Sequence, residues 1–126
     1  MTCLVLGCSG VGKTLLLKRL DSMCGAGRGG RSFSDGGGSR FTEVPVTYST
    51  VGTELVNLNV RGGGSAEVVM REVGGSMAPI WHNYYKDCAG TVIYIMDVSN
   101  RVQVSAAAIL LYQVSSFIYF LLCMLI

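Results

Sequence analysis

At 126 residues and a net charge of +2, the chain can build one domain with one core, and its charge is too small to point to nucleic acid or an acidic membrane surface. Arg28, Arg31 and Arg40 cluster among glycines with almost no aromatics between them, the composition of a solvated loop and not of a base-stacking platform. Five cysteines, at positions 3, 8, 24, 88 and 123, form no CxxC pair and are odd in number. That argues against a disulfide framework or a structural zinc site and fits a reducing, cytoplasmic setting. The first strand is expected to begin at once, leaving no room for a signal peptide, and Thr2 stands where N-myristoylation needs glycine.

In chain order, Cys3-Leu4-Val5-Leu6 is a short apolar run ending in glycine, which predicts a buried strand. A helix is expected from Gly12 to near Met23, with Leu15, Leu16, Leu17 and Leu20 on its apolar face. Gly25 to Arg40 holds seven glycines and several serines, too little apolar surface to offset ordering entropy, which predicts a mobile loop. Order is expected to return near Phe41. Leu55 to Val60 alternates apolar and polar residues, 61–65 turns the chain, and Val68 to Val73 returns, which predicts a two-stranded hairpin. A short helical piece with Trp81, Tyr84 and Tyr85 follows. Thr91 to Met96 reads as another strand, and Ser99 or Asn100 can cap a helix beginning near Arg101. This order is that of an α/β/α sandwich with a mostly parallel sheet.

Between the first strand and first helix lies Gly7-Cys8-Ser9-Gly10-Val11-Gly12-Lys13-Thr14, the pattern GxxxxGK[ST] in its proper strand–helix context. Glycines let the backbone curl so that successive N–H groups from Gly7, Ser9, Gly10, Val11 and Gly12 point inward at phosphate oxygens. The following helix adds unpaired N–H groups and the positive end of its dipole. Lys13 would reach the β- and γ-phosphates of a nucleotide, and the Thr14 hydroxyl would ligate Mg²⁺. The plainer alternative is a glycine-rich turn with a chance lysine. Cys8 is either a small residue at a variable loop position or a thiol activated by the helix N-terminus.

The phosphate loop alone does not separate ATP from GTP. Further along stand Thr50-Val51-Gly52 before a strand, then Arg71-Glu72-Val73-Gly74-Gly75 at the end of one, then Trp81, Tyr84 and Tyr85. In these motifs, over about residues 2 to 114, the chain resembles the ADP-ribosylation-factor branch of the Ras-like GTPases. That branch carries Thr-x-Gly in its first switch and Asp-x-Gly-Gly-Gln in its second, followed by a Trp and paired aromatics. The resemblance implies a P-loop, Ras-like G domain that binds GTP/GDP with Mg²⁺. It implies that Thr50 completes the Mg²⁺ shell, that Glu72 holds the metal through water, and that the Gly75 N–H, next to Gly74, bonds the γ-phosphate. Read alone, Thr50 and Gly75 are an ordinary strand start and an ordinary turn, and Glu72 is a charge at a strand end.

Two departures from the family pattern bear on chemistry. Glu72 replaces an aspartate, moving the carboxylate by about one C–C bond. Ser76 replaces the glutamine that orients the attacking water, and the piece from Gly75 to Trp81 is two residues shorter, so slow or absent intrinsic hydrolysis is expected and no residue is assigned a catalytic role. Trp81, Tyr84 and Tyr85 are expected to be partly core, with their exposed part offered to effectors. His82 has no Cys, Asp or second His spaced to join it and reads as a surface residue.

The base-gripping motifs Asn-Lys-x-Asp and Ser-Ala-Lys do not occur, and residues 1–114 are expected to form a partial G domain. Residues 115–126 form an apolar tail, interrupted only by Ser115 and Ser116 at its start. As a helix, 106–126 would span roughly 30 Å, enough for a bilayer core. Either the tail is a membrane anchor, giving a membrane-associated protein, or the domain is cut in its third helix and finished by unrelated sequence; only Arg101 flanks the apolar run, which favours the second. The function expected is a GTP-binding switch read by protein effectors. The alternatives are a nucleotide-incompetent pseudo-GTPase interaction module and, further off, an ATP-using phosphoryl-transfer enzyme.

Overall fold

The computed structural model describes residues 2–25, 46–61, 65–85 and 91–124. The arginine cluster, nearly all of the glycine-rich segment, Phe41, the tip of the hairpin turn and Cys88 lie outside the described residues. Strand β1 (Thr2–Leu6) is followed by helix α1 (Lys13–Gly25), by a hairpin of β2 (Thr53–Arg61) and β3 (Ser65–Val73), and by a 3₁₀ helix (Gly75–Ile80). Helix α2 (His82–Tyr85), strand β4 (Thr91–Tyr94) and helix α3 (Arg101–Met124) complete it. Among the described residues the sheet has four strands in the order β2-β3-β1-β4. β1 runs parallel to β3 and β4, while β2 and β3 pair antiparallel from Thr53↔Val73 to Arg61↔Ser65.

β1 is the central strand, and it is apolar at every buried position because both of its faces are covered. Its side chains alternate between two cores, as the two-residue period of a strand requires. Cys3 and Val5 join Leu17, Leu58 and Met70 beneath α1, with Ile93 packed beside them. Leu4 and Leu6 face the other way, into a core made by Val73, Trp81, Tyr85 and Val114. The result is the expected three-layer α/β/α arrangement, with α1 on one face and the 3₁₀ helix, α2 and α3 on the other. Trp81 is the largest fully buried side chain, and its ring meets that of Tyr94 edge to face at 6.3 Å. The Tyr94 hydroxyl donates to the Ala107 carbonyl at 2.8 Å, fastening β4 to α3.

Several boundaries differ from expectation for identifiable reasons. β4 stops at Tyr94 and not Met96 because its partner β1 ends at Leu6, and the last rung is the Ile95 N–H donating to the Leu6 carbonyl at 2.8 Å. The helical piece around Trp81 divides in two: the 3₁₀ helix contains Pro79, which lacks an N–H, and Trp81 sits at the joint before α2. Of the two candidate caps for α3, Asn100 acts, its Oδ1 accepting from the Gln103 N–H at 3.3 Å. Ser99 instead donates from both N–H and hydroxyl to Asp97, which holds that carboxyl below its usual range. α3 continues unbroken across positions 114 and 115, with Ala107, Leu110 and Val114 turned to the core. Among the described residues, no helix is long and apolar enough to cross a membrane.

Candidate functional site

The site is built where β1 gives way to α1. After Leu6 the chain turns through a loop in which Gly10 and Gly12 have φ values of +79° and +90°, the left-handed region that glycine enters without steric cost. α1 then opens on Lys13, so its first unpaired N–H groups face the loop's concave side. The Lys13 side chain folds back over that loop and donates from Nζ to the carbonyls of Gly7 and Cys8, each at 2.9 Å. It is only 5% exposed, and burial pulls its ammonium below the usual lysine value while the Glu72 carboxylate opposes that shift.

One residue further on, the Thr14 hydroxyl donates to Glu72 Oε1 at 2.8 Å. Thr50 comes from the segment ahead of β2, and its hydroxyl donates to the same Oε1 at 3.2 Å while lying 3.0 Å from that of Thr14. Glu72 reaches them because β1 and β3 are neighbours with Val5 opposite Glu72, and because Glu72 shares the α1-facing side of β3 with Met70. The carboxylate is 1% exposed, and Oε2 has no hydrogen-bond partner. Buried charge is tolerated only when compensated; two hydroxyl donors and the nearby Lys13 ammonium supply part of that here.

The segment after β3 closes one side. The Gly74 N–H donates to the Gly52 carbonyl at 2.9 Å, joining the Thr50 segment to the end of β3. Gly75 packs directly on the loop: a Cβ there would overlap the backbone of Ser9 and Cys8, so no larger residue fits without moving the loop. The buried Trp81 indole donates to the Gly74 carbonyl at 3.1 Å, tethering this corner to the core.

Together these residues border a cleft of about 350 Å³ lined by Ser9, Gly10, Gly12, Lys13, Thr14, Thr50, Glu72 and Gly75. Gly7, Val11 and Gly74, expected beside them, do not line it: the Gly7 carbonyl holds Lys13 from behind, Val11 is half-buried, and Gly74 is buried under Trp81. Leu15, Thr47, Tyr48 and Ser49 line the cleft as well and were not anticipated. Their adjacency to Thr14 and Thr50 is the signal that marks them. Trp81, Tyr84 and Tyr85, expected to be partly core, are so: Trp81 and Tyr85 are buried, filling the core between β1 and α3, and Tyr84 is half-buried, which leaves little of the three exposed to a partner. Ser76 is exposed and does not border the cleft, while His82 is exposed, as expected of a surface residue.

The oxygens of Thr14, Thr50 and Glu72 are hard donors of the kind Mg²⁺ prefers, and the unpartnered buried Oε2 marks charge that a cation would offset. The residues present fit such an ion. No cluster of three or more His, Cys, Asp or Glu able to hold a metal occurs among the described residues, and Cys3, Cys8 and Cys24 are free thiols.

No protein-family model matches the chain. Human ADP-ribosylation factor-like protein 16 is 40% identical over 107 residues, which are 85% of this chain and 47% of that protein. The chain thus spans about half the length of the curated relative it matches. Among solved structures, the mammalian SRP receptor superposes with a TM-score of 0.66 at 20% identity, covering 90% of this chain and 52% of that one. At that identity the likeness speaks to the fold alone. The chain is related to ADP-ribosylation factor-like protein 16 over most of its own length, and the α/β/α architecture of its described residues, with four strands, fits an incomplete Ras-like G-domain fold.

Proposed function

We propose that the chain binds GTP and GDP with Mg²⁺ at this cleft and acts as a switch whose two flanking segments respond to the γ-phosphate. The observation that carries the reading is the convergence of Lys13, Thr14, Thr50 and Glu72, drawn from three separated stretches of sequence, on one cleft at the N-terminus of α1. The kinship to a protein named for the ADP-ribosylation factors supports guanine over adenine. Lys13, now satisfied by two loop carbonyls, has its charge at the cleft and would place it against the β- and γ-phosphates. The loop N–H groups and the start of α1 would take the remaining phosphate oxygens. Thr14 and Thr50 would hold the Mg²⁺, with Glu72 beside them. A bound Mg²⁺ would supply positive charge to offset that of the phosphates.

The Gly75 N–H would bond the γ-phosphate, so the link from Gly74 to Gly52 would pass the loss of that phosphate to the Thr50 segment. Ser76, in place of the family's glutamine, is exposed and outside the cleft lining, so hydrolysis would be slow. Effectors would read the exposed segment holding Thr47, Tyr48 and Ser49, where Tyr48 is 85% exposed. The test is titration with a fluorescent GTP analogue in the presence of Mg²⁺. Wild type is expected to bind it and Lys13→Ala to lose at least about a hundredfold in affinity, the worth of a buried charge-assisted contact. Unchanged affinity in a folded Lys13→Ala protein would refute the proposal. Effector capture that ignores nucleotide would favour the interaction-module alternative.

A further inference from the structure

Residues 46–52, ahead of β2, form one wall of the cleft, and three contacts tie them down. At the end next to β2 the Gly52 carbonyl accepts from the Gly74 N–H at 2.9 Å. Further back the Thr50 hydroxyl lies 3.0 Å from that of Thr14. At the start the Val46 carbonyl accepts from Lys18 Nζ at 3.1 Å. Thr14 and Lys18 stand four residues apart on α1, so they share one helix face about 6 Å apart along the axis. As α1 advances from 14 to 18, the segment falls from 50 to 46. It is a strap that runs back along α1 in the opposite sense, and Thr47, Tyr48 and Ser49, which line the cleft, lie between the two contacts. Val46, Tyr48 and Val51 are all exposed, so polar contacts and not apolar packing hold the strap in place. Lys18 itself is exposed and does not line the cleft.

We propose that Lys18 is a positioning residue that latches this strap across the cleft, and that release of the latch sets how fast a ligand enters and leaves. The inference rests on the nucleotide reading only for the identity of that ligand; the latch stands on the contacts themselves. One hydrogen bond from an ammonium to a carbonyl in solvent shifts an opening equilibrium by about two- to tenfold, weak enough for the strap to open and exchange what lies beneath it. The latch touches none of the atoms assigned to phosphate or metal. Weakening it therefore raises the entry and exit rates by one common factor and leaves the equilibrium affinity unchanged.

The experiment compares wild type with Lys18→Met, which keeps the stem and the helix propensity but removes the donor, and with Lys18→Arg, which restores one. Folding of each is checked by circular dichroism. In the chain without nucleotide, a trace of chymotrypsin cuts after Tyr48 when the strap comes away from α1, so the cutting rate reads the open population. Cutting after Tyr84, which packs in the core on the other face of the sheet, reads general loosening of the fold. Lys18→Met is expected to be cut after Tyr48 about two- to tenfold faster with no change after Tyr84, and Lys18→Arg to return to the wild-type rate. With a fluorescent GDP, association and dissociation should both rise by that factor in Lys18→Met at unchanged Kd. Equal cutting after Tyr48 in wild type and Lys18→Met, no rescue by Lys18→Arg, a parallel rise after Tyr84, or faster dissociation with unchanged association would overturn the latch. A wild type that binds no fluorescent GDP would count against the nucleotide reading, while the cutting rates still decide this one.

Discussion

Replacing Trp81 by phenylalanine isolates one contact on which the corner of the site depends. The indole N–H donates to the buried Gly74 carbonyl at 3.1 Å, which also accepts from the Met77 N–H at 3.0 Å, so phenylalanine removes one of that carbonyl's two hydrogen bonds. The loss of one such hydrogen bond costs about 0.5–1.5 kcal/mol. The smaller ring also leaves a void in the core shared with Leu4, Leu6 and Val114, worth about 1 kcal/mol more, while an aromatic edge still faces Tyr94. The expected loss is therefore about 1.5–2.5 kcal/mol, a sizeable share of the stability of a small domain. Trp81 is the chain's one tryptophan, so the assay is urea unfolding followed by far-ultraviolet circular dichroism and not by fluorescence. A loss below about 0.5 kcal/mol with an unchanged slope would show that the indole does not hold Gly74 and that the tether described here is wrong.

Gly75→Ala is expected to push the Gly75 segment off the phosphate loop, because the added Cβ would meet the backbone of Ser9 and Cys8, with no flexible side chain to give way. Overpacking of this kind costs about 1–3 kcal/mol; stability by circular dichroism that matches wild type would refute the close approach. Tyr94→Phe removes the hydrogen bond to the Ala107 carbonyl and is expected to cost about 1 kcal/mol at neutral pH. Burial pushes the Tyr94 phenol up to about 12, with the Cys8 thiol adding to the rise. Its folded value thus lies above the unfolded one near 10, so the native state binds more protons between the two. The stability that Tyr94 contributes is complete below about pH 10 and is lost as pH rises toward 12. Unfolding curves of wild type and Tyr94→Phe should converge over that window, and a constant gap between them would contradict the buried, hydrogen-bonded phenol.

The part of the site that is local in sequence was legible before any coordinates. A strand, a glycine loop, Lys13 and a helix follow one another within a few residues, and their chemistry depends on nothing distant. The hairpin was legible because Leu55–Val60 alternates apolar and polar residues, a glycine-rich turn follows, and an apolar run from Val68 returns. The meeting of Thr14 with Glu72 was not, since it depends on the non-consecutive strands β1 and β3 lying side by side. Only the family resemblance grouped Glu72 with Thr14 and Thr50, and its Oε1 lies at hydrogen-bond distance from both hydroxyls. The aromatic cluster was legible as partly core, but how much of it stays exposed was not. Trp81, Tyr84 and Tyr85 fall within five residues, and composition cannot tell an exposed aromatic patch from one folded inward; the core side of β1, built from Leu4 and Leu6, draws Trp81 and Tyr85 under α3.

The most direct measurement is the identity of the nucleotide that the protein carries. The chain is purified in Mg²⁺, denatured, and the released small molecules are resolved by chromatography beside a Lys13→Ala control prepared in the same way. GTP or GDP close to one per chain in the wild type, and none in the control, is the expected result. A folded wild-type protein that carries no nucleotide even after incubation with GTP, or one that carries ATP or ADP in its place, would contradict a guanine-nucleotide switch at this cleft.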